Sequence, residues 1–230
     1  MKHIAIILAG GTGSRVGGQK PKQLLPLADG RSILEHAVDA FEAAPCIDEI
    51  AIVMHPDFIA EAQHLCLQNS WQKVQQIIPG GKERWESSVH AIQAFSSQNS
   101  AVSLWLHDAA RPFVSQAILA DIAKALEEHA AVSVAVPVTD TIYKVESLKF
   151  SVERSLKVES IPSRTEFMRA QTPQAFHLDT IAEAYRRARE KGNIIATDDA
   201  GIVHNYMPEV PIYIVLGDEQ NKKITYKEDL

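Results

Sequence analysis

The sequence predicts an α/β fold: a mainly parallel β-sheet flanked by helices, from which one polar β-hairpin projects. Three observations carry this. Short β-rich runs alternate with amphipathic stretches from the first residues on. Several of those runs are apolar at nearly every position, as strands covered on both faces are. One segment, at about residues 140–169, breaks the alternation.

The elements follow in order. His3–Ala9 reads as the first strand and runs straight into a glycine-rich turn, followed by an amphipathic helix over Ile33–Ala43. Glu49–His55, Val74–Pro79 and Val102–His107 read as further strands, with helices over Pro56–Gln68, Trp85–Phe95 and Ser115–His129. In the last of these, Ile118, Ile122, Ala125 and Leu126 fall at helical spacing, and Ser115 stands where an N-cap belongs. After the strand Ala131–Pro137, the segments Thr141–Val145 and Phe150–Val158 read as the two strands of the hairpin. A lone hairpin is unstable in water, so this arm is expected to pack on its own domain or on a second subunit. A helix over Leu178–Lys191 and a strand over Val210–Leu216 complete a Rossmann-like arrangement. The expectation is a single domain, 1–230, with a dimerisation arm at about 140–169.

Composition removes several function classes. Hydrophobic residues make up 46% and charged residues 23% of the 230, which excludes disorder and fibrous architectures. Net charge is 23 − 29 = −6, which argues against a nucleic-acid polymer or an anionic membrane as partner. With Cys46 and Cys66 as the sole cysteines, a disulfide scaffold is excluded. The apolar run Ile4–Ala9 is far too short to span a bilayer. The first residues lead into a strand rather than a leader peptide, so the expected location is cytoplasmic. The 9 histidines include no H-x-x-x-H pair, and His107 is expected to pack beside the end of the sheet.

Charge is unevenly spread. Residues 1–31 carry Lys2, Arg15, Lys20, Lys22 and Arg31 against Asp29, a balance of 5 − 1 = +4, and the remainder is −10. The basic residues surround Leu8-Ala9-Gly10-Gly11-Thr12-Gly13-Ser14-Arg15. Glycines after a strand let backbone N–H groups approach phosphates, and a following helix N-terminus adds partial positive charge. The dinucleotide pattern G-x-G-x-x-G fails here at Val16, and the P-loop pattern fails at Gln19. What remains is a polyphosphate site of another kind, or a basic loop capping the sheet. Asp108, at the carboxyl end of a strand, is placed where open α/β sheets bind ligands, although a turn residue paired with Arg111 reads equally well. Asp198-Asp199 could form a double-carboxylate site, but a helix start capped by Thr197 and followed by acids is preferred.

The loop L-A-G-G-T-G-S-R with P-K-Q resembles that of nucleotidyltransferases that activate sugar phosphates. The later motifs narrow the resemblance: Gly80-Gly81 with Arg84 and Ser87, His107-Asp108-Ala109-Ala110-Arg111-Pro112, Asp140-Thr141, Ala170-Gln171-Thr172-Pro173-Gln174, Thr197-Asp198-Asp199-Ala200, and Asn221-Lys222-Lys223-Ile224-Thr225 with Asp229-Leu230. In this order they resemble the 2-C-methyl-D-erythritol 4-phosphate cytidylyltransferase family of non-mevalonate isoprenoid biosynthesis, with the ribitol-5-phosphate cytidylyltransferases as near relatives.

That resemblance implies attack of a sugar-alcohol phosphate on the α-phosphorus of CTP, with Mg²⁺ or another divalent cation as cofactor. It implies Arg15, Lys22 and Lys223, in preference to Lys222, as the catalytic cations. Ala9, Gly10, Gly11, Gly81 and Ser87 would bind the nucleotide, and Asp108 the nucleotide and the metal. Arg111, Asp140, Thr141, Arg164 and Thr172 would bind the acceptor, with Arg164 reaching the other subunit of a homodimer. No general base is required, because a phosphate monoester is already largely dianionic near pH 7. Two alternatives stand beside this: a ribitol-phosphate enzyme supplying cell-wall or capsule polymers, and a catalytically silent nucleotide-binding protein.

Overall fold

The structure, a computed structural model, describes all residues except 12–19, 99–100, 147–155, 193 and 230. In chain order the elements are β1 (Lys2–Ala9), α1 (Ile33–Glu42), β2 (Glu49–Met54), α2 (Ile59–Asn69), β3 (Val74–Pro79), α3 (Arg84–Phe95), β4 (Val102–Asp108), α4 (Gln116–Ala125) and β5 (Ala131–Pro137). Then come β6 (Lys144–Val145), β7 (Val158–Ser160), β8 (Met168–His177), α5 (Leu178–Glu190), α6 (Asp199–Tyr206) and β9 (Tyr213–Leu216).

Seven strands form one sheet in the order β3-β2-β1-β4-β8-β5-β9. All run parallel except β8, which is antiparallel to both β4 and β5. Alternate side chains of β1 feed two cores. Ala5 and Ile7 meet Leu34, Val38 and Phe41 of α1 and Ile118 and Ile122 of α4, while Ile4, Ile6 and Leu8 meet Ile92 and Phe95 of α3 and Ile181 and Ala184 of α5. Burial on both faces is why β1, β2 and β4 are apolar without alternation. Ser32 and Glu35 close a capping box at the start of α1, and Ser115 caps α4 as its position predicts.

Three sequence expectations need correction. The strand β8 lies where no sheet strand is expected, because Arg169, Gln171, Pro173 and Gln174 disguise it. Its register with β5 jumps from Ser133↔Gln174 to Val134↔Gln171, so Thr172 and Pro173 bulge out of that ladder, as proline demands. The last strand starts at Tyr213 rather than Val210, since Pro211 has no N–H to give a ladder. The hairpin is shorter than expected and separate from the main sheet: Lys144–Val145 pairs antiparallel with Val158–Ser160. Residues 150–155 of its expected second strand lie outside the described residues. Around it Tyr143, Leu156, Val158, Ile161, Phe167 and Met168 are all exposed. No helix among the described residues is long and apolar enough to cross a membrane.

Candidate active site

The parallel strands deliver their carboxyl ends to one edge of the sheet, and two glycine turns meet there. Gly10-Gly11 follows β1 and Gly80-Gly81 follows β3. A methyl group on Gly80 would lie 3.1 Å from the Gly10 Cα and 3.3 Å from the Met54 carbonyl oxygen, and one on Gly10 would lie 3.0 Å from Ser87 Oγ. The turns touch because neither has a side chain. Ser87, buried in the first turn of α3, accepts a hydrogen bond from the Gly81 N–H at 3.1 Å. On the other side, buried Gln23 donates through Nε2 to the carbonyls of Ala9 (2.9 Å) and Gly11 (2.8 Å), clamping the exit of β1. Sequence reasoning gave Gln23 no role, although P-K-Q contains it. Arg15 lies outside the described residues.

Beside this glycine floor, charges alternate. Asp108, the last residue of β4, accepts from Arg84 Nε through Oδ1 (3.1 Å) and from Lys223 Nζ through Oδ2 (2.6 Å). Arg84 also donates from Nη1 to Asp199 Oδ2 at 2.7 Å, and the Tyr185 hydroxyl donates to Asp199 Oδ1 at 2.7 Å. Burial opposes the Asp108 charge, but Arg84 and Lys223 outweigh it and hold its carboxyl well below the usual range. Burial likewise opposes the Arg84 charge, and Asp199 with Asp108 raises its pKa despite that.

Long-range hydrogen bonds seat the chain's last residues against these strands. Ile224 N–H donates to the Ala110 carbonyl at 2.8 Å, and Lys22 Nζ donates to the Ile224 carbonyl at 2.6 Å. Arg111 Nη1 donates to the Asn221 carbonyl (2.7 Å) and Nη2 to that of Ala170 (3.3 Å). Buried Asn221 donates to Gln171 Oε1 and to the Thr172 carbonyl. Lys22, from the start of the chain, and Lys223, from its end, are thus brought to one place. The Thr172 hydroxyl accepts from the Asp108 N–H at 3.1 Å and bonds His107 Nδ1 at 3.1 Å. His107 Nε2 faces the Arg111 carbonyl at 2.9 Å, and a carbonyl only accepts, so the proton sits on Nε2. Burial, against Phe41 among others, lowers the His107 pKa to about 4, so the ring is neutral packing as expected.

The paired acids differ from the expected arrangement by one residue. Asp198, not Thr197, caps α6, accepting from Gly201 N–H at 2.8 Å. Asp199 is fully buried beneath Arg84. Both are structural partners, but Asp199 connects directly to the group holding Asp108. Asp140 and Thr141 are exposed just beyond β5, and Arg164 donates from Nη1 to the Thr139 carbonyl at 2.6 Å. Among the described residues, none of these three bonds to the Asp108 network. No cluster of three His, Cys, Asp or Glu side chains suited to a metal occurs among the described residues. Asp108 keeps 14% of its side chain exposed.

Residues 3–230 match the family described as IspD, 2-C-methyl-D-erythritol 4-phosphate cytidylyltransferase. The chain belongs to this cytidylyltransferase family. A 2-C-methyl-D-erythritol 4-phosphate cytidylyltransferase of Thermobifida fusca (strain YX) is 44% identical over 226 residues, covering 98% of this chain and 89% of its own. The bifunctional ribulose 5-phosphate reductase/CDP-ribitol pyrophosphorylase Bcs1 of Haemophilus influenzae is 38% identical, covering 100% of this chain and 47% of that protein. Among solved structures, the 4-diphosphocytidyl-2C-methyl-D-erythritol synthase of Anaerococcus prevotii DSM 20548 superposes with a TM-score of 0.81 at 25% identity, covering 99% of this chain and 92% of its own. The expected α/β fold and the expected enzyme class, a cytidylyltransferase, are both borne out.

Proposed function

We propose that this cytidylyltransferase joins CTP to 2-C-methyl-D-erythritol 4-phosphate as a CDP-sugar alcohol and releases pyrophosphate. The observation that carries the reading is the convergence of Lys22 and Lys223, 201 positions apart, beside Asp108 and above a floor of glycine backbone. An oxygen of the acceptor's phosphate attacks the α-phosphorus, a P–O bond forms, and the bond to the leaving pyrophosphate breaks. Such transfer asks the protein for in-line positioning and for charge neutralisation, with little covalent work. Lys22, Lys223 and Arg15 supply the positive charge. Ala9, Gly10, Gly11, Gly81 and Ser87 receive the nucleotide through backbone groups and a small hydroxyl.

A partly exposed carboxylate suits Mg²⁺, which keeps several waters and takes its other ligands from phosphate oxygens. Asp108 would hold that ion, which when bound screens the charge of the triphosphate. Lys223 stays on Asp108 Oδ2, and from that seat its charge acts on the phosphates. The acceptor meets Asp140, Thr141 and Arg164 on the exposed side. Arg111 and Thr172 serve it indirectly, since Arg111 Nη1 and Nη2 are held on the Asn221 and Ala170 carbonyls and the Thr172 hydroxyl on the Asp108 N–H and His107 Nδ1. The exposed apolar side chains around the hairpin support a homodimer in which the arm packs on the second subunit, bringing its Arg164 to the partner's site. We assign the reaction to the cytoplasm and the chain to a single domain, 1–230.

The likeness to the CDP-ribitol protein supports a second reading, with ribitol 5-phosphate as acceptor. Pyrophosphate release from CTP and Mg²⁺ is to be measured with each acceptor. Turnover with methylerythritol phosphate is expected. Turnover with ribitol phosphate alone refutes the first reading in favour of the second, and tight CTP binding without turnover points to a silent nucleotide-binding protein.

A further inference from the structure

Arg84 divides its guanidinium between two carboxylates. Nη1 meets Asp199 Oδ2 at 2.7 Å and Nε meets Asp108 Oδ1 at 3.1 Å, while Nη2 is buried without a partner among the described residues. Nε and Nη2 form the edge with which a guanidinium closes side-on upon both oxygens of one carboxylate. That fork is half made. Its second tooth is idle, and the oxygen it would take, Asp108 Oδ2, is bonded to Lys223 Nζ at 2.6 Å.

Asp199, which holds Nη1, is itself anchored. Its other oxygen accepts from Tyr185 at 2.7 Å. Its helix is bolted to β8, because Gln174 Nε2 donates to Asp198 Oδ2 at 2.7 Å and Gln174 Oε1 accepts from Ala200 N–H at 3.0 Å. Asp198 Oδ1 in turn caps the helix at Gly201 N–H. Asp199 therefore cannot follow Arg84 toward Asp108.

We infer that Asp199 is a positioning residue for the cytidylyl transfer: by holding Nη1 of Arg84 it prevents a two-toothed Arg84–Asp108 pair and reserves Asp108 Oδ2 for Lys223. This rests on the cytidylyl-transfer reading above. Without Asp199, Arg84 turns its idle edge onto Asp108, Lys223 loses its seat, and its charge is misplaced when the α-phosphorus is attacked.

The test is Asp199→Asn in the full chain, with folding followed by circular dichroism and CTP binding by calorimetry. Turnover is followed as pyrophosphate release with methylerythritol phosphate. The expected result is kcat lower by about 10- to 100-fold and a CTP Kd within about threefold of wild type. Combined with Lys223→Ala, the substitution should add less than about threefold to the loss from Lys223→Ala alone, because both act through one seat. A kcat within threefold of wild type, or losses that multiply, overturns the inference. If Asp199→Asn does not fold, Arg84→Gln is compared with the charge-balanced double variant Arg84→Gln/Asp199→Asn. Equal kcat is expected, since Asp199 then has no guanidinium to hold, and a further tenfold fall in the double variant overturns the inference. A wild type that releases no pyrophosphate with this acceptor sinks the underlying reading as well. A wild type that turns over beside an unaffected Asp199→Asn sinks only the role of Asp199.

Discussion

Replacing Gly80 by alanine tests whether contact between the two glycine turns sets the nucleotide site. The added methyl would lie 3.1 Å from Gly10 Cα, 3.2 Å from Ser87 Oγ and 3.3 Å from the Met54 carbonyl oxygen. Carbon atoms prefer roughly 3.5–4.0 Å, so Gly10 must retreat by about half an ångström. Two of the three neighbours are backbone and have no rotamer to escape into. Overpacking of this kind costs about 1–2 kcal/mol, which in a chain of this length lowers Tm by roughly 2–8 °C. The larger effect is expected on function, because the displaced backbone is the floor proposed to receive CTP. Misplacement on this scale is expected to raise the KM for CTP about tenfold and to lower kcat by about the same factor. Gly30→Ala is the control. Gly30 has a φ of +84° with nothing within 4 Å of an added Cβ, so alanine there strains the turn before α1 without crowding the site. Melting curves and steady-state kinetics on both variants decide. A Gly80→Ala enzyme with wild-type KM, or equal KM changes in both variants, refutes the reasoning.

Three further outcomes are expected. Lys223→Ala should lower kcat about 100-fold or more with CTP still bound, as for loss of one preorganised electrostatic donor, and unchanged kcat would remove Lys223 from the reaction. Ser32→Ala should cost about 1 kcal/mol by opening the capping box, or roughly 2–4 °C in Tm at neutral pH. Burial raises the Glu35 pKa, but hydrogen bonds from Ser32 and Asn69 outweigh it and leave it below its ordinary 4.5, so this stabilisation is present above that pH and lost as pH falls through the lower folded value. The gap in Tm between wild type and variant should therefore narrow on acidification, and a gap independent of pH argues against the Glu35 link. Mixing Arg164→Ala with Lys22→Ala subunits should restore about a quarter of wild-type activity, since half of the random dimers carry one intact site. No recovery in demonstrably mixed dimers would put the acceptor site within one chain.

Most of the fold was legible because burial on both faces writes itself plainly into a strand. Ala131–Pro137 falls at its predicted limits and is buried at all but its last residue, Val74–Pro79 falls at its limits although it is a partly exposed edge strand, and Ser115 caps the predicted helix. The strand β8 was not legible for an equally physical reason. It pairs on both edges, yet its polar side chains are spent on the site: Gln171 on Asn221, Thr172 on Asp108 and His107, Gln174 on α6. A strand recruited for hydrogen bonding loses the apolar pattern by which strands are recognised.

The site divides along the same line. Glycines, cations and a carboxylate at a strand end are chemistry that a linear motif displays, so Gly10, Lys22, Asp108 and Lys223 could be picked out singly. What a motif does not display is which charge faces which. Asp198 and Asp199 are chemically alike and adjacent, yet one caps a helix while the other is sealed beneath Arg84. Their difference arises at the helix start, where Asp198 is extended backbone and turns its carboxylate onto the first turn, while Asp199 is the first helical residue. The first accepts from Gly201 N–H and Gln174 Nε2, and the second from the Tyr185 hydroxyl and Arg84 Nη1. It follows that the net charge of −6 has little bearing on the site. Within it, Asp199, Arg84, Asp108 and Lys223 alternate in sign and cancel, so the charge a triphosphate would meet there is set by how these four pair rather than by the total of the chain.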